Sequence, residues 1–170
     1  EYNKLGDYNM VKKMEKAPPG MISPLPIAYL KLRDDSMHRL GIGTTREMKS
    51  VITGIFIPSL LHPEYTFTEK INIWRGKVFS ANLLRNEMFA TDLSAQINAL
   101  KIPVYFFHGK YDYTCSYDMA KDYLEQFQAP VKGFYTFENS AHSPIFEEPE
   151  RVMEILQKDV LSGVNYLADN

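Results

Sequence analysis

Apolar residues recur along this chain with two different rhythms, and the change from one to the other falls near Asp92. Before it the spacing is helical. Ile71, Trp74, Val78, Phe79, Leu83, Met88 and Phe89 keep an approximately helical repeat as far as Ala90, with Gly76 a tolerated weak point. Thr66, three residues ahead of Glu69, has the spacing of a capping box, in which side chain and backbone satisfy each other's orphan donors, so a long helix is predicted to begin there. Thr44 and Glu47 repeat that spacing and predict a second helix start. Residues 17–26 place Pro18, Pro19, Pro24 and Pro26 beside Gly20, which predicts a stiff irregular connector.

After Asp92 the rhythm shortens. Ile102-Pro103-Val104-Tyr105-Phe106-Phe107 is an almost continuously apolar run, the pattern of a strand covered on both faces, with Pro103 tolerable only at its start. Ser116 offers an N-cap to a helix whose Met119, Ala120, Tyr123, Leu124 and Phe127 share one face. Lys132 to Phe137 reads as a second strand. Pro149 suits the first turn of a closing helix with the stripe Val152, Ile155, Leu156 and Val160. Strand, helix, strand, helix in that order calls for a parallel crossover, so the expected class is α/β. The division is a helical region at 1–91 and a strand-bearing region at 92–170.

Charge reinforces that division. Residues 1–90 hold 13 basic and 9 acidic residues, whereas residues 91–170 hold 6 and 12. The whole chain carries a formal charge of -2, with a pI near 6.1, which gives no reason to expect nucleic acid or an anionic membrane as partner. Of its 170 residues 45% are hydrophobic and 24% charged, a globular composition. One cysteine, Cys115, excludes an internal disulfide and any Cys-rich zinc site, and fits a reducing compartment. The longest apolar stretch, Val51 to Leu61, is interrupted by Thr53, Gly54, Pro58 and Ser59 and is too short to span a bilayer. The expectation is a soluble cytoplasmic protein without cofactor or metal.

Two residues carry candidate chemistry. Asp112 follows the first strand in His108-Gly109-Lys110-Tyr111-Asp112, and His142 follows the second in Ser140-Ala141-His142-Ser143-Pro144. Loops at the C-terminal ends of neighbouring parallel strands can bring two such side chains together. With Ala129-Pro130-x-Lys132 between them and Glu147-Glu148-Pro149 behind, these strings resemble the C-terminal end of an α/β-hydrolase, closest to the proline-iminopeptidase-like group. The resemblance implies that Asp112 is the triad acid and His142 the triad base. It also implies that the helical half, with Tyr65-Thr66-x-x-Glu69-Lys70-Ile71-Asn72 and Gly76, is similar to the cap of those enzymes. In such a triad the histidine is general base and then general acid, and the aspartate fixes its tautomer.

The nucleophile is what the pattern lacks. No Gly-x-Ser-x-Gly, nor its Cys or Asp variant, occurs in residues 1–170. The expectation is therefore a C-terminal portion of a hydrolase of esters or short peptide amides, carrying acid and base and inactive alone. The alternative is a non-catalytic remnant or interaction module of the same ancestry. The partners expected are a small-molecule or short-peptide substrate in the complete enzyme and a second copy of the chain, paired through an exposed sheet edge or the cap surface.

Other polar residues read as structural. His108 ends a strand and is expected to pack or bond locally, and His38 and His62 lack partners at metal-ligand spacing. Cys115 reads as a small buried side chain beside a helix start. Glu147 and Glu148 read as acidic residues at the positive end of the closing helix. The many aromatic residues read as core and cap packing.

Overall fold

The computed structural model describes residues 1–17 and 27–169, so the connector expected at 17–26 lies almost wholly outside the described residues. The chain forms two compact units, Glu1–Leu40 with Ser50–Asp92, and Gly41–Lys49 with Leu93–Asn170.

The first unit is helical. Helix α1 spans Tyr2–Leu5, α2 Tyr8–Glu15 and α3 Ile27–Arg39. Asp7 caps α2 by accepting from Met10 N at 3.0 Å, satisfying one of the donors that a helix start leaves orphaned. Tyr2, Met10 and Ser36 are its buried contacts. The Tyr2 hydroxyl donates to Ser36 O at 2.6 Å, and the Ser36 hydroxyl donates to Leu32 O at 2.6 Å. A π-helical turn, Ile52–Phe56, runs into α4, Ile57–Leu61. Helix α5, Phe67–Ala90, starts where the sequence places it, with both halves of the capping box made: Thr66 Oγ1 accepts from Glu69 N at 3.3 Å, and Thr66 N donates to Glu69 Oε2 at 2.8 Å. Trp74 is its main anchor, donating to Ser59 Oγ at 3.1 Å with its ring 4.7 Å from that of Phe56. The rest of its apolar stripe is not core. No residue of α5 is buried, and Val78, Phe79, Leu83 and Met88 are each at least 60% exposed.

The helix predicted at Thr44 does not form. Gly41 and Glu47 both sit at positive φ, 72° and 64°, and an antiparallel bridge joins Ile42 to Arg46, so the backbone turns back on itself where a helix would need to advance. Met48 is buried against Gly43, where no Cβ obstructs it. Helix entry is delayed to Ser50, whose hydroxyl accepts from Ile52 N at 3.1 Å.

The second unit has the α/β architecture that its pattern implies. After a short helix α6, Leu93–Gln96, come β1, Val104–Gly109, α7, Tyr117–Gln126, and β2, Lys132–Phe137. The strands pair in parallel from Val104 opposite Lys132 to Gly109 opposite Phe137. Strand β1 begins two residues later than expected. Pro103 has no N–H to give, and the ladder opens with Val104 N donating to Val131 O at 2.9 Å, leaving Ile102 62% exposed. The strand then continues through His108 and Gly109.

Side chains alternate across the sheet, and both faces are covered. Phe134, with Val104 and Phe106, packs against Leu124 and Phe127 of α7 and its C-cap. Tyr135 and Phe137, with Tyr105 and Phe107, pack against Val152 and Ile155 of α9, Pro149–Ile155, which follows the short α8, Pro144–Glu147. Helix α9 continues as a π-helical turn, Leu156–Val160, that brings in the fully buried Asp159. Its carboxylate accepts from the Tyr135 hydroxyl and from Leu167 N, each at 2.8 Å. Burial, reinforced by this carboxylate, holds the Tyr135 pKa well above the ordinary tyrosine value. Burial also raises that of Tyr105. Farther along, Asp169 N donates to Phe134 O at 2.8 Å and its carboxylate accepts from Thr136 N at 3.0 Å, which fixes the tail along β2. Among the described residues no helix is long and apolar enough to cross a membrane.

Candidate acid–base site

The two residues singled out by their motifs are neighbours in space. Asp112 ends the turn after β1, His142 lies in the loop after β2, and Asp112 Oδ2 is 2.8 Å from His142 Nδ1. Asp112 is 8% exposed, while the imidazole remains open to solvent. Its other oxygen, Oδ1, accepts from Thr114 N at 2.8 Å and Cys115 N at 3.0 Å, so the carboxylate is fixed in orientation before it meets the histidine.

Backbone contacts hold the loops together. Lys110 N donates to Phe137 O at 2.9 Å, Tyr111 N to Ser140 O at 3.0 Å and Asp112 N to Gly109 O at 3.1 Å. Gly109 makes this approach possible. A Cβ at that position would overlap the carbonyl oxygens of Ala141 and Ser140, so the glycine after His108 is required by the closeness of the second loop.

Two carboxylates hold the His142 loop from the other side. Glu147 Oε2 accepts from Ala141 N at 2.9 Å, and Glu148 Oε2 accepts from Asn139 N at 3.0 Å and from Ser140 Oγ at 2.6 Å. Neither side chain caps α9, although Glu148 stands at its N-cap position and Pro149 occupies the first turn. Both acids stand at the start of the closing helix, as expected, and they brace the loop as well. Ala141 and Ser140 are buried, so the Ala141 N–H and the Ser140 hydroxyl need protein acceptors, and these carboxylates supply them.

Arg46 was not singled out by its sequence context. Its backbone N donates to Glu147 Oε1, and its guanidinium lies 4.2 Å from the centre of the Tyr111 ring. The segment that failed to become a helix therefore supports both candidate loops, and no local pattern announces such a contact between residues this far apart in sequence.

His108 packs and bonds locally, as expected. It stacks on Phe134 at 5.9 Å, meets Tyr117 edge-on at 5.5 Å, and its Nδ1 lies 3.1 Å from Gly109 O. It also faces the site, with Nε2 3.9 Å from Asp112 Oδ2. Cys115 departs from its expectation. It is exposed, not buried, because the turn that directs its N–H onto Asp112 leaves the residue on the outer side of the loop. Of the remaining histidines, His38 lies in α3 and His62 follows α4, where its ring is 5.2 Å from Tyr65. A groove of about 730 Å³ on this unit is lined by Lys110, Tyr117, Thr136, Glu138, Glu148 and Arg151 among others, but not by Asp112 or His142. At its edge the Glu138 carboxylate pairs with Lys110 and pushes the lysine's pKa up.

The site thus defines an acid–base pair at the C-terminal ends of two parallel strands in a mixed α/β unit. Among characterised proteins the chain is similar to the probable aminopeptidase YbaC of Bacillus subtilis (strain 168), with 30% identity over 95 residues. The matched region is 56% of this chain and 30% of that protein, so the chain spans less than a third of its relative's length. This likeness indicates hydrolase-like ancestry. No family model matches the chain, and no solved structure matches it.

Proposed function

We propose that this chain carries the acid and base of a serine α/β-hydrolase of the proline-iminopeptidase-like kind, acting on esters or short peptide amides. One observation carries the reading: the 2.8 Å contact between Asp112 Oδ2 and His142 Nδ1, on adjacent loops and in the chain order acid before base. The aspartate accepts the Nδ1 hydrogen, which leaves Nε2 as the lone pair that removes a serine proton. The imidazolium so formed is stabilised by the same carboxylate and then protonates the leaving alkoxide or amine. Residues 1–91 correspond to the helical cap of such an enzyme. The nucleophile is supplied by residues other than these 170, because no Gly-x-Ser-x-Gly is among them, and the chain by itself turns over no substrate. That same absence favours the second reading, a non-catalytic module of hydrolase ancestry.

Labelling with a serine-directed fluorophosphonate tests the assignment. The 170-residue chain should remain unlabelled; modification at one of its own serines, lost in His142→Ala, would overturn the external-nucleophile reading. In a polypeptide that joins this sequence to a Gly-x-Ser-x-Gly elbow and hydrolyses aminoacyl amides or esters, Asp112→Asn should lower kcat by about 10⁴-fold. Unchanged turnover in both Asp112→Asn and His142→Ala would leave the non-catalytic reading standing.

A further inference from the structure

Asp112 Oδ1 is committed to two backbone N–H groups, but Oδ2 faces two imidazoles, His142 at 2.8 Å and His108 at 3.9 Å. The His108 Nδ1 lies against Gly109 O, and a carbonyl only accepts, so Nδ1 carries the hydrogen. In the neutral ring Nε2 is then a lone pair. It is buried, lacks a hydrogen-bond partner among the described residues, and points at a carboxylate oxygen. Two acceptors facing each other where water is excluded are mutually unfavourable, and a positive centre between them removes the conflict. On the open side of the same carboxylate lies a thiol. The Cys115 sulfur, a carboxylate oxygen of Asp112 and a ring nitrogen of His142 all lie within 4.8 Å of one another.

We propose that Asp112, Cys115 and His142 form a Zn²⁺ site, with His108 Nε2, 3.9 Å from Asp112 Oδ2 but outside that cluster, as the candidate fourth donor. The donor set selects the metal. Thiolate and imidazole disfavour Mg²⁺ and Ca²⁺, which take oxygen ligands, and suit borderline-soft Zn²⁺. Bonds of about 2.0 to 2.3 Å around a tetrahedral ion place neighbouring donors roughly 3.5 Å apart, so the three donors within 4.8 Å draw in around the ion while the hydrogen bond of 2.8 Å between Asp112 Oδ2 and His142 Nδ1 gives way to it. Thiolate and carboxylate together neutralise the ion, with the thiol proton released to solvent on coordination. Cys115 and His142 are exposed, which gives the ion a path in. Occupancy engages both side chains to which proton transfer is assigned, so Zn²⁺ would silence the acid–base pair. That consequence rests on the hydrolase reading; metal binding itself does not.

Titration of the 170-residue chain with Co²⁺ tests the site without reference to turnover. One equivalent should bind with visible bands of tetrahedral cobalt and a near-ultraviolet thiolate charge-transfer band, and one equivalent of Zn²⁺ should displace it. Cys115→Ser should abolish the charge-transfer band and weaken binding by at least about tenfold. His108→Phe, which keeps a ring stacked on Phe134, should weaken binding to a similar degree and retain the band. Absence of the thiolate band in the parent chain would overturn the proposal, as would equal Co²⁺ affinity in Cys115→Ser. Failure of the hydrolase reading would appear elsewhere, as unchanged turnover in His142→Ala, and would leave these spectra unaltered.

Discussion

Helix α5 and strand β2 are both strongly apolar, yet they owe their form to different causes. The strand is ordered from outside: Tyr135 and Phe137 are fully buried, one face of the sheet is covered by α7 and the other by α9. The helix is ordered from within. It has a complete capping box, and no residue of it is buried. A capping box can fix where a helix starts without a core, whereas a parallel strand exists only where neighbours cover it.

The comparison can be broken most severely at the core. Ile155→Ala should destabilise the second unit by about 2–5 kcal/mol in denaturant unfolding, since the side chain is fully buried and leaves a cavity. Phe79→Ala removes a larger side chain that is 67% exposed and should change stability by less than about 0.5 kcal/mol. Equal effects would show that α5 is covered in solution. Gly109→Ala comes next, at about 1–3 kcal/mol, because the new methyl meets two carbonyl oxygens of the His142 loop. It should also shift the ring resonances of His142 in an NMR spectrum as the loop is pushed from Asp112.

Alkaline pH sharpens the contrast further. The native pKa of Tyr135 is raised above its ordinary value of 10.0 by burial and by Asp159, so the folded chain keeps a proton that the unfolded chain releases. Its contribution is complete below pH 10 and is lost as pH rises from there towards the native pKa, at about 1.4 kcal/mol per pH unit. Tyr135→Phe should flatten the corresponding slope in unfolding measured between pH 9 and pH 11. A modest effect belongs to the start of the helix. Thr66→Ala should cost about 1 kcal/mol, appearing as faster amide exchange in the first turn of α5 while β2 stays protected.

What could be read from the sequence follows the same division. Capping at Thr66 and Ser116, the bounds of β2 and the pairing of Asp112 with His142 are all local motifs in an order that the parallel crossover makes meaningful. Thr44 and Glu47 misled because a capping box states only how a helix would start. The positive φ at Gly41 and Glu47, and the burial of Met48, decide that none does. The bracing by Glu147 and Glu148 and the contact of Arg46 with Tyr111 were hidden for another reason: they join residues whose proximity exists only after folding. The late start of β1 was legible in Pro103, which removes a donor from the ladder.

The two glutamates have a consequence for time as well as for geometry. Asp112 acquires its turn from residues within three positions of itself, so the acid can be set as soon as that stretch of chain exists. His142 cannot. Its loop is shaped by Glu147 and Glu148, and β2 beneath it is secured by Asp159 and Asp169. During synthesis, which proceeds from the N-terminus, the acid therefore waits for its base, and the pair matures only after the residues that brace the His142 loop have been added.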